Sequence, residues 1–219
     1  MAMNVAIDGP AGAGKSTIAK AVAAKKGYVY VDTGAMYRAM ALYFLRAGIA
    51  ADDEKSISES VNDIVVSIKY EDGAQHVILN DEDVTGLIRT EEVGNMASAT
   101  SVYSAVRTKL VALQQELAKT TDVIMDGRDI GTVVLPNADV KVFLTASVEC
   151  RAKRRFDELQ AKGVSADFNQ IAKDIEERDY RDSHREISPL KQAEDAVLVD
   201  SSNMTIEEVV NTIIDLCNK

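Results

Sequence analysis

The first apolar run, Val5-Ala6-Ile7, has the length of a buried strand, and the pattern after it changes period at once. From Ser16 to Lys26 the apolar residues Ile18, Ala19, Val22 and Ala23 recur at helical spacing, so strand, turn and helix are expected in succession. Tyr28 to Asp32 reads as a second strand, and Ala35 to Ala47 as a helix that ends before Gly48. Between residues 63 and 85 the character changes again. Ile64 to Tyr70 and Gln75 to Leu79 flank Glu71-Asp72-Gly73, which predicts a β-hairpin with an Asp-Gly turn, and Asn80 to Thr85 adds a short third strand. Ser98 to Lys119 reads as one long amphipathic helix with Val102, Val106, Leu110, Leu113 and Leu117 on its apolar face. Val123 to Met125, Val140 to Leu144 and Ala196 to Val199 are further strands, with helices from near Val148 and from about Asn169 to Glu186 before the last of them. The final helix opens on a capping box, Thr205 with Glu208, and carries a stripe of Ile206, Val209, Val210, Ile213 and Leu216. Five core strands alternating with helices imply an α/β fold, a parallel sheet covered on both faces. Residues 63–85 form a small antiparallel insert within it.

A chain of 219 residues, 46% of them hydrophobic, suits one such domain. No apolar run approaches the ~20 residues of a membrane-spanning helix. The N-terminus enters the first strand without a basic stretch and apolar signal segment, so a cytoplasmic location is expected. Cys150 and Cys217 are far apart, without ligand spacing around them, and are read as free thiols on helices rather than a disulfide or a zinc site. The net charge is −10, concentrated in residues 51–95, where twelve acidic residues face three basic ones. Such a surface disfavours long polyanions, whose non-specific affinity rests on phosphate neutralisation.

One segment carries specific chemistry. Gly9, Pro10, Ala11, Gly12, Ala13, Gly14, Lys15, Ser16 and Thr17 form a phosphate-binding loop, placed between a strand and a helix as the motif requires. Backbone N–H groups and the helix N-terminus offer positive charge to phosphate oxygens. Lys15 is expected to reach the β- and γ-phosphates, and the Ser16 hydroxyl to ligate Mg²⁺. The motif implies binding of a nucleoside triphosphate.

A phosphate-binding loop alone does not separate kinase, GTPase and ATPase. The Asn-Lys-x-Asp sequence that reads guanine does not occur. Arg151, Arg154 and Arg155 stand at helical spacing, as do Arg178, Arg181 and Arg185 with Asp174, Asp179 and Asp182 among them. Alone, such clusters read as surface ion pairs. Beside a phosphate-binding loop they also fit a closing lid that neutralises a transferring phosphoryl group. Asp126, at the end of a buried strand, is a candidate for holding a Mg²⁺-bound water or the incoming nucleotide, with a helix- or turn-capping carboxylate as the alternative. Neither His76 nor His184 is assigned any chemistry.

Four ordered stretches, Gly9 to Thr17, Asp32-Thr-Gly-Ala-Met-Tyr-Arg38, Asp126-Gly-Arg-Asp-Ile-Gly-Thr132 and Glu177-Arg-Asp-Tyr-Arg-Asp182, resemble the bacterial cytidylate (CMP) kinase family from the first strand to the last helix. The resemblance implies a single P-loop kinase domain over 1–219, with an enlarged nucleoside-monophosphate-binding insert at about 62–97 and a helical lid at about 151–166. It implies transfer of the γ-phosphoryl of ATP to CMP and dCMP with Mg²⁺, by a monomer that engages neither nucleic acid nor membrane. Arg38, Arg128 and Arg185 match the family's grip on the CMP phosphate. Ser98, Arg107 and Asp129 match its reading of cytosine, and Arg178 and Asp182 its sugar contacts. Thr33 stands where some members have serine. Arg151, Arg154 and Arg155 match the lid by type and position, with Lys15, Arg128 and Asp126 as the remaining catalytic candidates. Other small P-loop kinases (UMP/CMP, thymidylate or shikimate types), a nucleotide-hydrolysing switch and an inactive nucleotide-binding module are the competing expectations.

Overall fold

The computed structural model describes residues 2–71 and 74–218. In chain order the elements are β1 (Asn4–Asp8), α1 (Lys15–Lys26), β2 (Val29–Asp32), α2 (Thr33–Arg46), α3 (Glu54–Ser60) and a 3-10 turn (Val61–Asp63). There follow β3 (Val66–Glu71), β4 (Ala74–Leu79), β5 (Glu82–Asp83), α4 (Glu91–Thr100) and α5 (Ser104–Ala118). The last third holds β6 (Val123–Gly127), a π-helical turn (Ile130–Val134), β7 (Val140–Thr145), α6 (Val148–Ala161), α7 (Phe168–His184), β8 (Val197–Asp200) and α8 (Ile206–Cys217). The chain divides into two compact units, one made of everything up to Tyr30 and from Thr121 onward, the other of Val31–Thr120.

The first unit holds β6, β1, β7, β8 and the first half of β2, in a sheet of order β2-β6-β1-β7-β8. β1 lies parallel to β6, with Asp8 opposite Gly127, and parallel to β7, with Asp8 opposite Phe143. Val5, Ile7, Ile124, Val142 and Leu144 from these strands are buried together with Ile18 and Val22 of α1 and Val209, Val210 and Ile213 of α8. Each such side chain contributes about 1.5–3 kcal/mol by leaving water. Both flanking helices follow the apolar spacing of their sequence, and α8 begins on the expected capping box, with Thr205 and Glu208 bonded reciprocally. The chain leaves β1 toward β2 on one side and leaves β6 toward β7 on the other. The crevice at the carboxyl ends of β1 and β6 is therefore a topological switch point, where open α/β sheets hold ligands.

In the second unit α2 buries Met36, Met40 and Phe44, and β3 and β4 pair antiparallel from Val66↔Leu79 to Glu71↔Ala74, with β5 added at Ile78↔Asp83. The Asp72-Gly73 turn expected between them lies outside the described residues. The single helix expected from Ser98 to Lys119 is instead two, α4 and α5, interrupted at residues 101–103. At the break Thr100 Oγ1 donates to the Met96 carbonyl and Ser101 Oγ to that of Ser98, local bonds that weaken a helix where they occur. Tyr103 then takes an extended conformation and starts α5. Helix α3, with Ile57 as its one buried residue, carries too few apolar positions to be legible as a periodic pattern.

Candidate active site

The phosphate-binding loop joins β1 to α1. Gly14 caps α1 without a side-chain oxygen, so the first-turn N–H groups are not satisfied by a cap and are available to an anion. Lys15 is buried, and its Nζ donates to the Pro10 carbonyl at 2.7 Å. Burial, and next the Arg128 guanidinium, push the Lys15 ammonium down to about 7. Asp126, Asp8 and Asp182 oppose this without outweighing burial, and a bound polyphosphate would favour the charged form further.

Ser16 Oγ donates to Asp126 Oδ2 at 2.9 Å, and the Tyr30 hydroxyl donates to Asp126 Oδ1 at 2.8 Å. Asp126 thus faces the loop from β6. A hydroxyl beside a carboxylate is a hard-oxygen pair of the kind Mg²⁺ takes together with substrate phosphates, so Ser16 and Asp126 fit that ion. Beyond β6, Arg128 Nε donates to Asp182 Oδ2 at 2.8 Å. Burial raises the Asp182 carboxyl, but Arg128, with Arg178 and Arg185 behind it, outweighs burial and holds it below its ordinary value. Arg185 Nε donates to the Ser188 carbonyl, and its Nη2 lies 3.9 Å from Asp129 Oδ1. Helix α7 thereby brings Arg178, Asp182 and Arg185 to the segment carrying Arg128 and Asp129.

The three arginines of α6 separate. Arg151 is buried, donating to the Ala11 carbonyl at 3.0 Å, to that of Ala146 and to Asp179. Arg154 donates to the Ala13 carbonyl and to that of Ser201. Arg155 is exposed and pairs with Glu158 at 2.9 Å. Arg151 and Arg154 therefore bind the phosphate loop itself, while Arg155 makes the kind of ion pair its spacing also allowed. A cavity of about 330 Å³ lies beside the loop, walled by Gly14, Thr17, Ile18, Arg154, Ser201, Met204, Ile206 and Val209. Its size is at the low end for small-molecule pockets, about 300–1,000 Å³. Ser201 and Met204 were not legible as site residues, because nothing in their own segment marks them; the return of the chain after β8 brings them to the loop.

In the second unit, Asp32 caps α2 through the Ala35 N–H and pairs with Arg89 at 2.8 Å. The next residue, Thr33, is buried, and Arg38, one to two turns on, donates to the carbonyls of Ile88 and Thr90. A Cβ at Gly94 would stand 2.9 Å from Arg38 Nη1, so glycine there leaves room for the Arg38 guanidinium in its present place. Ser98 lies one turn further along α4 and is half-buried. Arg107 on α5 is buried, stacks 5.8 Å from the Tyr37 ring centroid, and donates to the Ser101 carbonyl exposed by the helix break. The structure thus groups Lys15, Ser16, Asp126, Arg128, Asp129, Arg151, Arg154, Arg178, Asp182 and Arg185 on the first unit, and Thr33, Arg38, Ser98 and Arg107 on the second.

Comparison with known proteins gives a consistent result. The sequence model of the cytidylate kinase family matches residues 5–219. A cytidylate kinase of Lactobacillus gasseri is 54% identical over 217 residues, covering 99% of this chain and 94% of the relative. One from Caldicellulosiruptor bescii is 53% identical over 99% of this chain and 96% of its own length. Among solved structures, a shikimate kinase from Bacteroides thetaiotaomicron superposes with a TM-score of 0.51 at 14% identity, covering 99% of both chains. A sugar kinase from Janibacter sp. does so with a TM-score of 0.51 at 13% identity, over 100% of this chain and 95% of that one. At such identities the likeness concerns the fold alone.

Proposed function

The chain belongs to the cytidylate kinase family, and from that premise we propose that it transfers the γ-phosphoryl group of ATP to CMP and dCMP, giving ADP and the corresponding diphosphates. The observation that carries this reading is the junction of Lys15, Ser16 and Asp126 with the Arg128–Asp182 pair at the carboxyl ends of β1 and β6. It sets a triphosphate cradle next to cationic groups suited to a second phosphate. The donor base takes the cavity beside Arg154 and Met204, where apolar walls and a planar guanidinium suit an aromatic ring. No helix of the described residues is long and apolar enough to cross a membrane.

The chemistry asks for little from the protein beyond position and charge. A nucleoside monophosphate is largely doubly ionised at pH 7, its second pKa being about 6, so no base has to remove a proton from the nucleophile. Lys15 holds the β- and γ-phosphates, and Arg128, backed by Asp182, neutralises charge on the phosphoryl in flight. Mg²⁺ at Ser16 and Asp126 would supply further neutralisation of the triphosphate. Arg38 and Arg185 take the CMP phosphate, Thr33 lies beside them in role, and Arg178 and Asp182 serve the sugar. Ser98, Arg107 and Asp129 read the base. Cytosine presents an amino donor beside ring-nitrogen and carbonyl acceptors, which Asp129 and Arg107 complement. Uracil would set a carbonyl against the carboxylate and leave buried groups unpaired, at about 1–3 kcal/mol each.

The test is ADP release from ATP–Mg²⁺ with CMP, dCMP, UMP, AMP, dTMP and shikimate offered separately. Strong turnover with CMP and dCMP and weak turnover with UMP is the expected result; release independent of any acceptor would point to a hydrolase. Asp129→Ala and Ser98→Ala are expected to reduce the CMP-to-UMP ratio of kcat/KM by about tenfold or more, and an unchanged ratio in both would refute the base pocket. Gly94→Ala should push the Arg38 guanidinium aside and raise the CMP KM about tenfold, with little loss of stability because only the tip of a flexible side chain must move. An unaltered CMP KM in this variant would remove Arg38 from the phosphate grip.

A further inference from the structure

Asp8 ends β1 directly before Gly9, and its buried carboxylate is bonded on both oxygens by backbone. The Ile130 N–H donates to Oδ1 at 2.7 Å and the Gly131 N–H to Oδ2 at 2.7 Å. These are the opening N–H groups of the π-helical turn, whose N-cap residue is Asp129. An aspartate in that position ordinarily turns its own carboxylate back onto the second or third N–H of the turn. Asp129 makes no such cap, and its Oδ1 lies 3.9 Å from Arg185 Nη2 instead.

The sheet makes the substitution of one carboxylate for the other possible. Asp8 stands opposite Gly127 in the parallel register, so the end of β1 and the start of the Arg128–Thr132 segment emerge side by side. At Gly131 an added Cβ would lie 3.3 Å from Asp8 Oδ2 and 3.2 Å from the Lys141 side chain, so glycine admits the carboxylate at this distance. Lys141 is itself fixed by the Pro136 carbonyl and Asp195. Burial pushes the Asp8 carboxyl up to about 6 in spite of its two N–H partners, with Asp129 adding to the rise and Lys15 opposing it.

We propose that Asp8 is a positioning residue for base selection: by capping the Ile130–Val134 turn from β1, it keeps the Asp129 carboxylate off its own backbone and presented to the acceptor base. The proposal rests on the reading that Asp129 recognises cytosine. Asp8 touches no substrate in this arrangement; it acts through the orientation of Asp129.

The experiment compares the intact chain with Asp8→Asn, Asp129→Ala and the double variant, measuring kcat and KM with CMP, UMP and ATP alongside thermal melting. Asparagine keeps the shape but sets an amide donor against one of the two N–H groups. Asp8→Asn is expected to lower the CMP-to-UMP ratio about tenfold through the CMP KM, with the ATP KM changed by less than about twofold. In the double variant the ratio should fall no further than in Asp129→Ala alone. A folded Asp8→Asn with the wild-type ratio, or one that slows CMP and UMP equally, overturns the proposal while leaving the role of Asp129 standing. An unchanged ratio in Asp129→Ala removes the base reading, and the proposal with it. Should Asp8→Asn fail to fold, Gly131→Ala crowds the same carboxylate and must shift the ratio the same way; a wild-type ratio there is equally fatal.

Discussion

Replacing Arg128 by alanine is expected to lower kcat by about three orders of magnitude, within the range found for arginines that stabilise a phosphoryl in transfer. The loss should appear in kcat more than in either KM, because charge on the transferring group develops on the way to the transition state. The fold should survive. Arg128 is tied to Asp182 through Nε, but Asp182 also lies in the field of Arg178 and Arg185, so the carboxylate left behind is not stripped of compensation. Arg128→Lys separates charge from geometry: an ammonium keeps the former and loses the planar fork, and only partial recovery is expected. Turnover near that of the intact chain in a folded Arg128→Ala would sink the assignment.

Gly9→Ala is the second large effect, this time on stability. The ideal Cβ at residue 9 falls 1.9 Å from the Leu144 carbonyl oxygen, which belongs to the backbone of β7 and has no rotamer to escape into. The residue also has φ of 148°, a conformation L side chains rarely adopt. Overpacking and backbone strain together give an expected loss of about 3–5 kcal/mol, read from urea unfolding with the slope unchanged. Gly27→Ala is the control. Its φ is 73°, but nothing lies within 4 Å of the added Cβ, so only about 1 kcal/mol of strain is expected. If both variants lost the same amount, the contact with β7 would have no part in the stability of the loop.

What the chain discloses by pattern and what it conceals divide along the range of the interactions. The five sheet strands, the helix after the phosphate-binding loop and the capping box of α8 are local, and each was legible from a few neighbouring residues. The break between α4 and α5 was not, since the apolar positions of Ser98 to Lys119 keep helical spacing straight through it, and the hydroxyl bonds of Thr100 and Ser101 to nearby carbonyls leave no mark on that spacing. In the site, Lys15 and Ser16 carry chemistry in their types and spacing and Asp126 in its place at a strand end, while Arg128 was marked only by the family resemblance. Tyr30, Gly94, Ser201, Met204 and Asp8 carry no such mark. Their importance lies in what stands next to them in space, as when Tyr30 bonds an aspartate 96 residues away or Asp8 an amide 122 residues away. The α6 arginines show the converse: one spacing covers a buried loop clamp at Arg151 and a solvent-facing ion pair at Arg155.

The sheet order also dictates when in its synthesis the chain can become an enzyme. β1 is made early but its two neighbours are residues 123–127 and 140–143, so it has no lateral partner until the ribosome has passed well beyond the middle of the message. The Val31–Thr120 unit, by contrast, is one continuous stretch made before β6 and β7. The phosphate loop, written first, is shaped late, and loop closure over that separation makes its assembly the slow event of folding. Nascent chains that stop short of β6 carry the whole nucleotide motif while β1 has neither of its sheet neighbours.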